Sequence, residues 1–264
     1  MEFQIDGKTV FAHTGGKDFD PKGDVVVLIH GAAMNHLAWA LQTRWLAHHG
    51  HSVLALDLPG CGRSEGELPD SVEACGAWVH RVLDELGVDK ATLMGHSMGA
   101  LIAMETAGQR PDRIKALGLL GFCYPLAVND DFLDAAKNDL PLAIGLMNDW
   151  AHGPKAHMGG FQVPGLWMVG ADTRVVQQAK PGVLHKCLAI CSDYKGGEKA
   201  ASAITCPALV VLGRQDQMTP VKAGRRTAAM IAGAEVAELD DCGHMMMFEQ
   251  PRALLRVLEP VLAA

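Results

Sequence analysis

Much is missing from this chain, and each absence narrows what it can be. It has no block of lysine or arginine: 23 basic residues face 30 acidic ones, for a net charge of −7. A chain of that sign is repelled by phosphate backbones and anionic bilayers, so the expected partner is a small molecule, not nucleic acid or membrane. No apolar run approaches the roughly 20 residues of a membrane span; the strongly apolar stretches are short, as at 25–29. Met1-Glu2-Phe3-Gln4-Ile5-Asp6 places no basic region ahead of an apolar one, so no export leader is expected. The 7 cysteines are odd in number, scattered and without a C-x-x-C pair, which excludes a disulfide framework and a zinc knuckle and fits a reducing cytoplasm. Internal repeats and low-complexity tracts are also lacking.

What remains is an ordinary globular composition, 49% apolar and 20% charged over 264 residues. That length is awkward, too long for one typical domain and short for two. Short apolar runs at 25–29, 53–56, 91–94, 114–120, 208–213 and 235–239 alternate with helical periods at 37–49, 72–86, 98–109, 221–232 and 252–262. Strands buried on both faces between crossover helices give this pattern, so the expected class is α/β with a mostly parallel sheet. Two further segments, 3–5 and 9–13, flank Asp6-Gly7, a hairpin turn sequence, and bring the strand count to eight. Ser71 or Asp70 is expected to cap the second helix, and Pro220 and Pro251 to sit in first turns. The stretch 122–204 breaks the rhythm, with helical pieces punctuated by Pro125, Pro141, Pro154, Pro164 and Pro181. It reads as a helical cap inserted after the sixth strand, leaving 1–121 and 205–264 as two parts of one core.

At the join of strand 91–94 and the next helix stands Gly95-His96-Ser97-Met98-Gly99. A serine on a sharp strand-to-helix turn needs neighbours without side chains two positions either side, and the glycines supply them. The helix N-terminus behind it favours developing negative charge, so the Met98 N–H is one expected oxyanion donor. The loop His30-Gly31-Ala32-Ala33 follows strand 25–29 at the same sheet edge, and Ala32 N–H is the expected second. His30 and His96 read as packing or hydrogen-bonding residues. A serine hydroxyl needs a base held by a carboxylate. His244 follows the last strand and Asp216 the one before it, so both loops open at the edge that carries Ser97. Asp240 and Asp241 lie too close along the chain to His244 to turn back and grip its ring.

Taken together, His30-Gly31, Trp39, Asp57-Leu58-Pro59-Gly60-Cys61-Gly62-Arg63-Ser64, Gly95-His96-Ser97-Met98-Gly99, Asp216 and Cys242-Gly243-His244 resemble the α/β-hydrolase superfamily, in particular its capped esterases, lactonases, carbon–carbon hydrolases and perhydrolases. The resemblance implies an α/β-hydrolase fold, the chain order Ser, Asp, His for the triad, and a structural role for the loop 57–64. Serine at 97 differs from the aspartate of dehalogenases and epoxide hydrolases of this fold, which disfavours those chemistries; Ala100, where many relatives have glycine, puts nothing catalytic in doubt. The expectation is a cofactor-independent, metal-free serine hydrolase of a small ester or lactone, monomeric or homodimeric. A carbon–carbon hydrolase or perhydrolase with the same triad, or a non-catalytic receptor on the same fold, are the alternatives. Met147, Trp150 and Trp167 of the cap, with Met245, are the expected pocket side chains; Phe161 is another apolar residue of the cap. Cys187 and Cys191 are expected to face the core or the cap interface.

Overall fold

Both residues of the Asp6-Gly7 turn adopt positive φ, +51° and +71°, and fold strand β1 (Glu2–Ile5) back on β2 (Lys8–His13). The structure, a computed structural model, describes residues 1–159 and 163–264, so Phe161 lies outside the described residues. β3 (Asp24–Ile29), β4 (His51–Leu56), β5 (Ala91–His96), β6 (Ile114–Leu120), β7 (Ala208–Gly213) and β8 (Glu235–Leu239) complete an eight-stranded sheet in the order β1-β2-β4-β3-β5-β6-β7-β8. Its strands from β3 onward pair in parallel, and β2 runs antiparallel to β4. The chain passes from β3 outward to β4, then returns across β3 to β5. This reversal leaves a crevice at the carboxyl ends of β3 and β5, the place where open α/β sheets bind ligands.

The period-2 alternation of side chains divides the core in two. Val25, Val27 and Ile29 join Leu101 and Val79 in one layer. Val26 and Leu28 join Trp39, Leu46, Leu254 and Leu258 in the other. α1 (Ala40–His48), α2 (Val72–Glu85) and α3 (Met98–Gln109) cross between the first strands. Ser71, not Asp70, caps α2, accepting from Ala74 N–H at 3.1 Å. The helix expected over 37–49 is split into a 3₁₀ turn, His36–Trp39, and α1, because Asn35 accepts the Leu37 N–H and Asp57 the His36 N–H. β4 and β5 exceed the expected apolar runs, since His51 pairs with Asp24 and His96 with Leu120.

Between β6 and β7 come α4 (Asp130–Asn138), α5 (Leu140–Ala151), α6 (Pro154–Met158), α7 (Met168–Gln177), α8 (Val183–Asp193) and α9 (Gly197–Ala203). Phe132, Ile144, Met147, Val176, Leu184 and Leu188 form an apolar cluster of their own. The end of the segment behaves differently. Cys187, Cys191, Ala200 and Ala201 belong to the main core, and α9 approaches α3 so closely that a Cβ on Gly108 would lie 2.6 Å from the Ala200 Cα. α10 (Val221–Ala228), α11 (Met246–Glu249) and α12 (Pro251–Leu262) close the chain. Pro251 stands in the first turn of α12, whereas Pro220 caps α10 from outside. Among the described residues no helix is long and apolar enough to cross a membrane.

Candidate active site

The path from β5 into α3 turns at Ser97, whose φ of +55° is a conformation that costs a non-glycine residue about 1–3 kcal/mol. The glycines on either side answer to contact as well as to the turn. A Cβ on Gly95 would lie 2.0 Å from the Gly99 carbonyl oxygen, and one on Gly99 would lie 2.2 Å from that of Ile29. Ser97 is thereby pressed between two strands and a helix end, half-buried and lining a cavity of about 330 Å³. Met98 is the first residue of α3, so its N–H has no acceptor within the helix.

Across the cavity mouth, His30 organises the other loop. Leu58 N–H donates to its Nε2 at 3.1 Å, so Nδ1 carries the proton and donates to the Gly31 carbonyl at 2.8 Å. In a trans peptide the N–H opposes the carbonyl. Holding Gly31 O from one side therefore turns the Ala32 N–H to the other, and Ala32 lines the cavity. The loop 57–64 supports this arrangement. Asp57 accepts from His36 and Arg63 amides at 2.6 and 2.8 Å, and Gly62 is required because a Cβ there would lie 2.3 Å from the Asp57 carboxylate.

His244 is buried, and its Nδ1–H donates to Asp216 Oδ2 at 2.7 Å, which leaves Nε2 unprotonated. Burial alone would push this imidazole down; the carboxylates of Asp216, Asp172 and Glu249 overcome it and raise it above the usual value. Asp216 is oriented by Met218 and Thr219 N–H, both at 2.8 Å, and by the Thr219 hydroxyl at 2.6 Å. His96 donates through Nε2 to the His244 carbonyl at 3.0 Å, and its ring lies 4.6 Å from that of His244. Ser97 and His244 line the same cavity; among the described residues no hydrogen bond joins them, as is common before substrate tightens a site.

Three contributors escape a reading by motif. Thr219 completes the grip on Asp216. Glu249 is buried and accepts from Gly153, Gly243 and Met245 amides at 2.9, 3.0 and 3.1 Å, bracketing His244 from both sides. Asp172 lines the cavity from α7. The signal for it was present: Met168, Asp172, Val175 and Val176 share one helical face, and an acid on an apolar stripe is out of place. Of the expected pocket residues, Met147, Trp150 and Met245 line the cavity. Trp167 does not. It precedes α7, folds its ring back against Gly170, where a Cβ would meet it at 2.1 Å, and is 67% exposed.

The family model described as alpha/beta hydrolase fold matches residues 24–251. A monoacylglycerol lipase from Xenopus laevis is 25% identical over 100% of this chain and 82% of its own length. A pimeloyl-[acyl-carrier protein] methyl ester esterase from Aromatoleum aromaticum is 28% identical over 89% of this chain and 97% of its own. Among solved structures, the enol-lactonase from Burkholderia xenovorans LB400 superposes with a TM-score of 0.83 at 22% identity, covering 100% of both chains, a likeness of fold.

Proposed function

The chain belongs to the α/β-hydrolase family, and from that premise we propose that it is a serine hydrolase of small carboxylic esters or lactones, working through an acyl-enzyme on Ser97. The observation that carries the reading is the Asp216–His244 pair, bonded at 2.7 Å, whose histidine lines the cavity that the strained Ser97 also lines. In the first half-reaction Ser97 Oγ attacks the ester carbon while its proton passes to His244 Nε2. The tetrahedral oxyanion is held by the Ala32 and Met98 N–H groups, and collapse expels the alcohol, which takes the proton from His244. Water then enters, its oxygen bonds to the acyl carbon as its proton passes to His244, and collapse breaks the bond to Ser97 Oγ, which takes the proton back from His244 as the acid leaves. Asp216 holds the imidazole tautomer throughout. These residues supply each proton transfer and the nucleophile, so neither metal nor cofactor enters the scheme. The segment 122–204 acts as the substrate-selecting cap through α5 and α7, and a cavity of about 330 Å³ suits a small substrate.

Intact-mass measurement after treatment with an organophosphonate ester tests the assignment. The native protein should gain one adduct and Ser97→Ala none, with hydrolysis of a short p-nitrophenyl ester falling by at least about 10³-fold in the variant. Labelling of Ser97→Ala, or no labelling of the native protein, would overturn it.

A further inference from the structure

Asp172 is the cavity group that this mechanism leaves unused. It is 0% exposed, it is among the residues that line the cavity, and among the described residues neither carboxyl oxygen has a hydrogen-bond partner. The protein's other buried acids at the site are treated differently: Asp57 and Asp216 each collect several donors and Glu249 three amides. Leaving one carboxyl bare incurs its full desolvation penalty, and burial pushes Asp172 up to about 7. A buried polar group that the chain does not satisfy points to a partner from outside it. The surrounding wall sharpens the chemistry. Phe132, Met147, Leu188 and Met218 are apolar, and among the described residues lining the cavity there is no lysine or arginine. Above about pH 7, where Asp172 is ionised and His244 is proposed to act as the neutral base, an anionic substrate would meet no lysine or arginine there and would face a like charge.

We propose that Asp172 is a specificity residue whose carboxyl receives a hydrogen-bond donor, a hydroxyl or a primary ammonium, carried by the substrate away from its scissile bond. The enzyme then favours donor-bearing esters over plain alkyl ones and discriminates against carboxylate-bearing ones. The inference rests on the hydrolase reading above, and its test keeps the two apart.

Initial rates are measured on methyl hexanoate, methyl 6-hydroxyhexanoate, methyl 6-aminohexanoate and monomethyl adipate, with propyl and 3-hydroxypropyl hexanoate probing the alcohol side. A donor-bearing ester should exceed its alkyl partner in kcat/KM by about 10-fold or more, with the adipate half-ester lowest. In Asp172→Leu the donor-to-alkyl ratio should collapse toward one. In Asp172→Asn the ammonium preference should vanish while part of the hydroxyl preference survives. The readout is the ratio within each protein, so a uniform loss of rate does not count, and the native series decides alone if a variant does not fold. Dissociation constants of the same esters for Ser97→Ala give the ratios without turnover. Turnover without any donor preference overturns the inference and leaves the hydrolase reading standing. Donor preference in binding without turnover by the native protein does the reverse. A preference that survives Asp172→Leu assigns the donor to another group and overturns the inference.

Discussion

On plain alkyl esters, which offer Asp172 no donor, the proposed base His244 sets the expected acid limb of the pH profile. His244 must be neutral to accept the Ser97 proton, and its carboxylate neighbours hold it above its ordinary value of 6.5. The sign follows directly: activity is full at alkaline pH and is lost as pH falls through a midpoint above 6.5. Asp216→Asn removes the largest of the interactions that raise it, which lowers it. The acid limb should move to lower pH while the maximal rate falls by about 10⁴-fold, since the amide no longer enforces the tautomer. A pH profile of kcat/KM for both proteins checks this, and an unmoved limb in the variant would point to a different base. The meeting of Ser97, Asp216 and His244 at one sheet edge could be anticipated because each follows a strand end and is a recognisable residue type. Thr219 and Glu249 were not legible, because their work is to hold other residues through ordinary hydrogen bonds that no spacing announces. Asp172 was half legible: its place on the apolar face of α7 could be read, but that this face lines a cavity could not.

The elements were legible where burial on both faces imposed continuous apolar runs, and less so where hydrogen bonds to side chains set the boundary. Asn35 and Asp57 draw the start of the first crossover helix into a 3₁₀ turn, and no periodicity records that. Trp167 failed for a related reason, since a large apolar residue in a cap can fold along its own helix as readily as into the pocket. The join of β5 and α3 permits a sharper expectation. Gly95→Ala would place a methyl 2.0 Å from the Gly99 oxygen and 2.4 Å from its carbonyl carbon, both backbone atoms that cannot swing aside. α3 would have to lift from the strand that aims Ser97, at a cost of about 1–3 kcal/mol or more. The variant should melt several degrees lower and lose phosphonate labelling at temperatures where it remains folded. Retained labelling at the native rate would mean that the turn tolerates displacement and that Gly95 serves packing alone.

At the scale of the whole molecule, the segment between β6 and β7 is stitched into the loops that carry Asp216 and His244. The last turn of α5 accepts from both: His244 N–H donates to the Ala151 carbonyl at 2.6 Å, and Gln217 N–H to that of Trp150 at 3.3 Å. Glu249 closes the same seam by binding Gly153 on the inserted side together with Gly243 and Met245 around His244. The backbones are tightly apposed there, since a Cβ on Gly243 would lie 2.5 Å from the Ala151 oxygen. At its other end α9 is packed on α3. On the proposed reading, a segment anchored in this way would select substrate by the shape and polarity of the cavity it helps wall, and disturbance of its α5 end should reach His244. Glu249→Gln tests the coupling, because the amide retains one acceptor oxygen and leaves at least one of the three backbone N–H groups unpaired, at about 1–3 kcal/mol. Amide hydrogen exchange should rise together at 150–153 and 243–245. The acid limb of the pH profile should also shift downward, because one of the carboxylates that raise His244 has lost its charge. With the Asp216 pair intact, that shift should be smaller than in Asp216→Asn, and kcat should fall more than KM rises. Faster exchange confined to 150–153, with the profile unmoved, would show that the cap end and the catalytic histidine are independent.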